Sequence, residues 1–391
     1  MTGREKILAA LSDDGTPEIP VVICYEGILI RDHWNQLTAC PWWYQESPDL
    51  DHQIAWRRDF FDKVPQDWFY MPLCVSRAQR KSLSIRESDG VVALVDRQTG
   101  HERVLEPPVV GGKMIPRDTA SLTGNSIDVS TEDIDRGVPI KILDVQAMRK
   151  EGRFDLSDRI LAGLGADRFP MTSVHSPLWD ASGLWGFEAL MTLVATQPEL
   201  VQRACERFLQ RSIQQVQCAS ARGVLGIWIE ECFTDMIGPK SYRTLCLPYL
   251  RRLIEAIRDI GLYSVFYFCG DPKNLWELLL DAKADALSLE EGKKGFEIDI
   301  EDVVSRVQGR CTLLGNLDAF HVLEQGTDSE LHDEIRRQIA AGRANGNRFI
   351  TSLGSPVTPN TSMESLARYL TLARESAKTP LRSRKKGAMQ A

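Results

Sequence analysis

Glu230 and Glu231 end the apolar run "GIWIEE", and Tyr267 and Cys269 stand at the edge of a second one, "SVFYFCGD". Carboxylates, a phenol and a thiol at the ends of such runs are poorly explained by solubility, so they are read as delivered into a pocket. Tyr267 and Cys269 lie two apart, which on an extended chain sends both side chains to the same face. Glu230 and Glu231 are adjacent, so only one of them enters a pocket directly. A carboxyl group against an apolar wall or a like charge keeps its proton toward neutral pH and acts as a general acid, and a phenol is the other candidate. Cys269 also reads as a small core residue.

Further polar groups stand at comparable positions: Glu26 after "PVVICY", His175 and Asp180 in "SVHSPLWD", Glu290 and Glu291 after "ALSL", Asn316 and Asp318 in "GNLD", and Ser355 in "SLGSPV". Glu26, His175, Trp179, Asn316 and Ser355 are the candidate substrate contacts. His175 reads equally as a donor satisfied behind the site. Trp179, Trp185 and the "PWWYQ" stretch offer walls for a flat substrate. Asp271 precedes a proline and is expected to cap a helix, and "TDSE" and "SMES" have the spacing of capping boxes.

These groups need elements that bring them together. From Leu143 onward short apolar runs alternate with amphipathic stretches: "FPMTSVHSP", "LGIWIEE", "YSVFYFCG", "ALSLEE", "TLLGNL" and "RFITSLG" as strands, each followed by a helical pattern. Strands apolar on both faces with helices between them demand a parallel sheet covered by helices. With "EIPVVICYE" and "WFYMPL" near the N-terminus, about eight units give an α/β fold, a closed (β/α)8 TIM-like barrel with an N-terminal extension. A doubly wound open sheet is the alternative. Chemistry on a barrel sits at the C-terminal strand ends, where the residues named above fall. Residues 81–107 alternate differently around Asp89-Gly90 and are expected to form a small antiparallel β-hairpin insertion. One barrel domain is read over 1–391, with an N-terminal helix within 1–18 and a basic tail at 380–391.

Composition excludes several classes. The chain has 391 residues and a formal charge of −7 without acidic blocks, which gives no basic face for nucleic acid. Its nine cysteines are scattered singly with no C-x-x-C pair, as expected of a protein of the reducing cytoplasm. The N-terminus lacks the apolar core of a signal peptide, no run approaches the roughly 20 residues that span a bilayer, and no Gly-rich phosphate loop occurs.

"VFYFCGDPKNLWELLLDAKADALSLEE", "GRCTLLGNLDAFHVLEQGT" and "FITSLGSPVTPNTSMESLARYLTLARE" follow one another in the order seen in the uroporphyrinogen decarboxylase superfamily. From His175 to Glu375 the chain resembles that superfamily, which comprises porphyrinogen decarboxylases and corrinoid-dependent methyltransferases. The resemblance implies a TIM-like barrel. Its zinc-dependent methyltransferases carry His-x-Cys at one strand end and a further cysteine after the last strand; here the three positions are Tyr267, Cys269 and Ser355, so zinc is not expected. Its decarboxylases carry paired arginines near the first strand, where this chain has only Arg31. The resemblance therefore implies a methyltransferase that moves a methyl group from a small methylated substrate, a methyl ether first, to the cob(I)amide of a partner corrinoid protein. Glu230, Glu231 or Tyr267 would serve the leaving group as acid. No corrinoid-binding D-x-H-x-x-G loop occurs in the chain itself. A zinc-dependent methylcorrinoid:thiol methyltransferase, a porphyrinogen decarboxylase and a non-catalytic ligand-binding member stay open as alternatives, as does a homodimer.

Overall fold

In the computed structural model, which describes residues 1–112, 128–292 and 295–378, the chain opens on a helix, Gly3–Leu11. Its first turn is closed by a capping box between Thr2 and Glu5. The basic tail at 380–391 lies outside the described residues.

Among the described residues ten strands follow: β1 Trp68–Tyr70, β2 Leu83–Ser88, β3 Val91–Asp96, β4 Glu102–Leu105, β5 Phe169–His175, β6 Gly226–Cys232, β7 Tyr263–Cys269, β8 Ala286–Leu289, β9 Thr312–Leu314 and β10 Phe349–Ile350. Seven of them form one parallel sheet in the order β1-β5-β6-β7-β8-β9-β10. The eighth stave is the extended segment around Val21. On one side it is bridged to Thr351 beyond β10, with Val22 N–H donating to the Thr351 carbonyl at 2.9 Å. On the other side Asp67 N–H donates to the Val21 carbonyl at 3.0 Å, while the side chains of Asp67 and Gln66 accept from the N–H groups of Val21 and Ile23 at 2.7 and 2.9 Å. Two ladder bonds are thus made by side chains, and Pro20 has no N–H to give. That is why the expected strand closes the barrel without forming a regular ladder.

The helices cover the outside of the sheet. In the helix Pro198–Ala221, Leu200, Val201, Ala204, Cys205, Phe208, Leu209, Ser212 and Val216 are buried, a stripe at helical spacing that faces the strands. The interior is tightly filled at its base: a Cβ on Gly226 would collide with Met171 and the Phe169 ring, so only glycine fits there.

The expected hairpin insertion is a three-stranded antiparallel sheet, β2-β3-β4. Asp89 and Gly90 both take positive φ, 51° and 76°, and make the tight turn. The third strand, Glu102–Leu105, pairs with β3 and was not read from the sequence because it is four residues long and mostly exposed.

Candidate active site

Strand alternation decides which groups meet at the barrel mouth. On β6, Trp228 stacks on Tyr267 with ring centroids 5.1 Å apart and also meets Trp68 and Tyr25, so its face is the barrel interior. Glu230 and Cys232 share that face. Glu231 points the other way and is completely buried among the helices, accepting from Tyr242 at 2.7 Å and Thr234 at 3.0 Å. Of the two adjacent carboxylates, Glu230 is therefore the one on the interior face at the mouth, and Glu231 is the one buried among the helices. Burial raises the Glu231 carboxyl above its usual range, against those two hydrogen bonds.

Glu230 is the hub. Its Oε1 accepts from the Tyr25 hydroxyl at 3.2 Å and lies 3.8 Å from the Cys232 thiol. Its Oε2 lies 4.0 Å from His175 Nε2. His175 closes β5 directly opposite Glu230 in the register. The next residue, Ser176, caps the helix Pro177–Trp185, with Pro177 in its first turn. That cap places Asp180 where its carboxylate meets His175 Nδ1 at 2.8 Å. Burial lowers the imidazole pKa, but the Asp180 hydrogen bond and the charges of Asp180 and Glu230 outweigh it, and the net shift is upward.

Aromatic groups frame these acids. Burial, followed by Tyr267 and Glu230, pushes the Tyr25 phenol well above its ordinary value. Tyr25 and Phe233 both adopt left-handed backbone with φ of 55°, a conformation that costs a bulky residue roughly 1–2 kcal/mol. Phe233 packs against Trp179 at 5.1 Å and against the exposed Phe187 at 5.4 Å. Gly270, at φ 147° with Asp235 against its α-carbon, turns the chain where β7 ends.

The other expected site residues take different places. Tyr267 is 2% exposed, lines the barrel interior opposite Glu230 in the register, and its hydroxyl donates to the Gly354 carbonyl at 3.4 Å. Cys269 lies opposite Cys232 in the register at the mouth, and their mutual hydrogen bond, then burial, raises the Cys232 thiol. Asn316 donates to the carbonyls of Ile298 and Glu290 at 2.8 and 3.2 Å and ties loops together. Ser355 donates to the Glu291 carboxylate at 2.5 Å. Glu26 is buried under the Gln66 amide at 2.7 Å, and burial raises it to about 8 against the field of Arg57. Asp271 accepts from Lys273 N–H at 2.9 Å in a turn that precedes the helix Trp276–Asp281, so it caps a turn rather than the helix. Trp185 is buried, and Trp42 and Trp43 line a groove of about 350 Å³ along the antiparallel insertion.

Tyrosine and serine, which stand at two of the three positions the resemblance assigns to zinc ligands, are poor donors to that ion. Tyr267 and Ser355 are engaged by Gly354 and Glu291, and among the described residues no cluster of three or more His, Cys, Asp or Glu could hold a metal. A larger cavity of about 660 Å³ lies at the opposite end of the barrel, where ion pairs such as Arg348–Asp13 at 3.1 Å and Arg310–Glu277 at 3.6 Å match its charges. Sequence reasoning missed Tyr25, Cys232 and Phe233. Cys232 was within reach, since it stands two residues after Glu230 on the same strand. Tyr25 carries no such signal, because its place follows from a left-handed backbone.

Comparison with known proteins adds the family. A model described as "Uroporphyrinogen decarboxylase (URO-D)" matches residues 152–376. The chain belongs to the uroporphyrinogen decarboxylase family. Within that family, the uroporphyrinogen decarboxylase of Thermodesulfovibrio yellowstonii is 27% identical over 190 residues, 49% of this chain and 48% of that protein. The methylcobamide:CoM methyltransferase MtbA of Methanosarcina mazei is 24% identical over 108 residues, 28% of this chain and 30% of that protein. A solved methyltransferase from Methanosarcina mazei covers 96% of this chain and 98% of its own with a TM-score of 0.62 at 16% identity, which shows the shared barrel fold. The chain spans about half the length of the curated relatives it matches. Among the described residues no helix is long and apolar enough to cross a membrane.

Proposed function

We propose that this family member transfers a methyl group from a small methylated substrate, a methyl ether first, to the cob(I)amide of a corrinoid protein. The corrinoid supplies the nucleophile. The similarity to a methylcobamide methyltransferase supports that acceptor, and the half-exposed wall of Trp179, Phe233 and Phe187 is suited to a flat partner over the mouth.

The observation that carries the reading is the setting of Glu230. Ether cleavage leaves an alkoxide or phenoxide, whose departure needs a proton. Glu230 stands at the mouth with Oε1 held by the Tyr25 hydroxyl at 3.2 Å and its side chain 21% exposed. In this reading Glu230 is the acid that meets the leaving oxygen, and Tyr25 orients it. The bond from methyl to oxygen breaks, the methyl carbon passes to the acceptor, and the Glu230 proton passes to the oxygen.

A porphyrinogen decarboxylase needs cations for the substrate's carboxylates. Here Arg31 is bound to Asp32 at 2.7 Å and to the Gly112 carbonyl, and the groups named around Glu230 are acids, a phenol, a thiol and one imidazole. The test is anaerobic incubation of the protein with cob(I)alamin and a panel of methoxylated aromatics, methylamines and methyl thioethers, followed by absorbance. Formation of methylcob(III)alamin from an ether is expected. Carbon dioxide release from a porphyrinogen, with no methyl transfer from any donor, would overturn the reading.

A further inference from the structure

We propose that His175, held by Asp180, is the relay through which solvent protons reach Glu230. This rests on methyl-ether cleavage at Glu230 and adds the residues that recharge the acid.

The stoichiometry requires a recharging route. Each ether turnover leaves a proton on the departing oxygen, so Glu230 ends as a carboxylate and must regain a proton before the next cycle. The Glu230 side chain is 21% exposed, whereas His175 is 46% exposed, so the imidazole is the group in better contact with water. Asp180 accepts from Nδ1 at 2.8 Å, which fixes that proton and aims Nε2 at Glu230 Oε2, 4.0 Å away. A movement of about 1 Å brings the pair to hydrogen-bond length. Tyr25 holds the other oxygen, Oε1, leaving Oε2 for the imidazole.

The step balances without a further reagent. The Nε2–H bond of the imidazolium breaks, an O–H bond forms on Glu230, and neutral imidazole with its proton on Nδ1 remains. Water at the exposed edge then returns a proton to Nε2. Three groups and burial act on the imidazole: Asp180 from the helix Pro177–Trp185 and Glu230 from β6 favour the charged form, while burial and Arg211, on the helix Pro198–Ala221, oppose it. Its raised pKa keeps imidazolium populated nearer neutral pH than a free histidine would. His175 and Asp180 are thus positioning and relay residues, and the catalytic residue is Glu230.

The test pairs a titration with a rate profile. In isotope-labelled protein, NMR follows the His175 ring, identified by its loss in His175→Gln. The expected result is a lower His175 pKa in both Asp180→Asn and Glu230→Gln, since each change removes a negative charge facing the ring. With an ether substrate, the fall of kcat on the alkaline side should move to lower pH in Asp180→Asn by the same amount, with KM unchanged. At a pH above both titrations, a His175 pKa lower by one lowers kcat about tenfold. An unshifted His175 in either variant overturns the relay, and so does a shifted ring with an unmoved kcat profile, which would make the pair merely structural. Both ring shifts in a protein that transfers no methyl group would sustain the proton link and sink the ether-cleavage reading alone.

Discussion

At the residue scale the phenols of Tyr25 and Tyr267 separate orientation from packing. Tyr25 donates to Glu230 Oε1, while Tyr267 donates to a backbone carbonyl and stacks on Trp228. Removing the Tyr25 hydroxyl deletes one hydrogen bond to a carboxylate, worth about 1–3 kcal/mol. Tyr25→Phe is expected to lower methyl transfer about tenfold, and Tyr267→Phe to leave it within about twofold, as measured by steady-state rates on one ether. Equal losses in the two variants would assign both rings to packing. The sequence singled out Tyr267 and passed over Tyr25 for a physical reason. Two-residue alternation on β7 sends Tyr267 inward, opposite Glu230 in the register, but there its ring packs on Trp228 and its hydroxyl turns to the Gly354 carbonyl. Tyr25, in contrast, reaches the mouth because its backbone turns left-handed at φ 55°, and no periodicity encodes that.

At the element scale, Glu231 pins the helix Gly238–Leu245 to β6 through the Tyr242 hydroxyl at 2.7 Å. Glu231→Ala would strand two buried hydroxyls and is expected to destabilise the protein by about 2–4 kcal/mol. Denaturant unfolding should show the loss, while the rate per folded molecule stays near the original. The parallel strands and their helices were legible because each is an apolar run followed by an amphipathic one. Helix caps were legible as well: Thr327 and Glu330 form a capping box on the helix Asp328–Ala344, whereas at the expected box on Ser362 a serine stands where Glu or Gln would reach back, and the Ser362 side chain accepts from Ser365 N–H at 3.0 Å. What escaped were elements too short to carry a period. They include the π-helix Ala319–Glu324, the helix Val145–Lys150 and the strand Glu102–Leu105. The choice between Glu230 and Glu231 also escaped, since it depends on the absolute phase of β6 and not on its spacing.

At the scale of the whole molecule, barrel closure and pH are linked through Glu26. Gln66 bonds both Ile23 N–H, where the eighth stave meets β1, and the Glu26 carboxyl. With its pKa raised to about 8 by burial, Glu26 keeps its proton in the folded state where the unfolded chain, at the ordinary value, has lost it. Its stabilising contribution is therefore full below the unfolded value and is lost as pH rises toward about 8. Between those limits unfolding free energy should fall with a slope of up to about 1.4 kcal/mol per pH unit. Glu26→Gln should flatten that slope in denaturant titrations at successive pH values, and an unchanged slope would locate the charge elsewhere. The mouth that this closure shapes is where the functional account is decided, and the most direct measurement is a leaving-group series. Methyl transfer to cob(I)alamin is followed from anisoles whose phenols grow steadily more acidic, for the unaltered protein and for Glu230→Gln. Proton donation by Glu230 predicts a loss of about 10²- to 10⁴-fold for the least acidic phenol, shrinking steadily as the leaving group needs less help. A uniform loss across the series, or none, would contradict it.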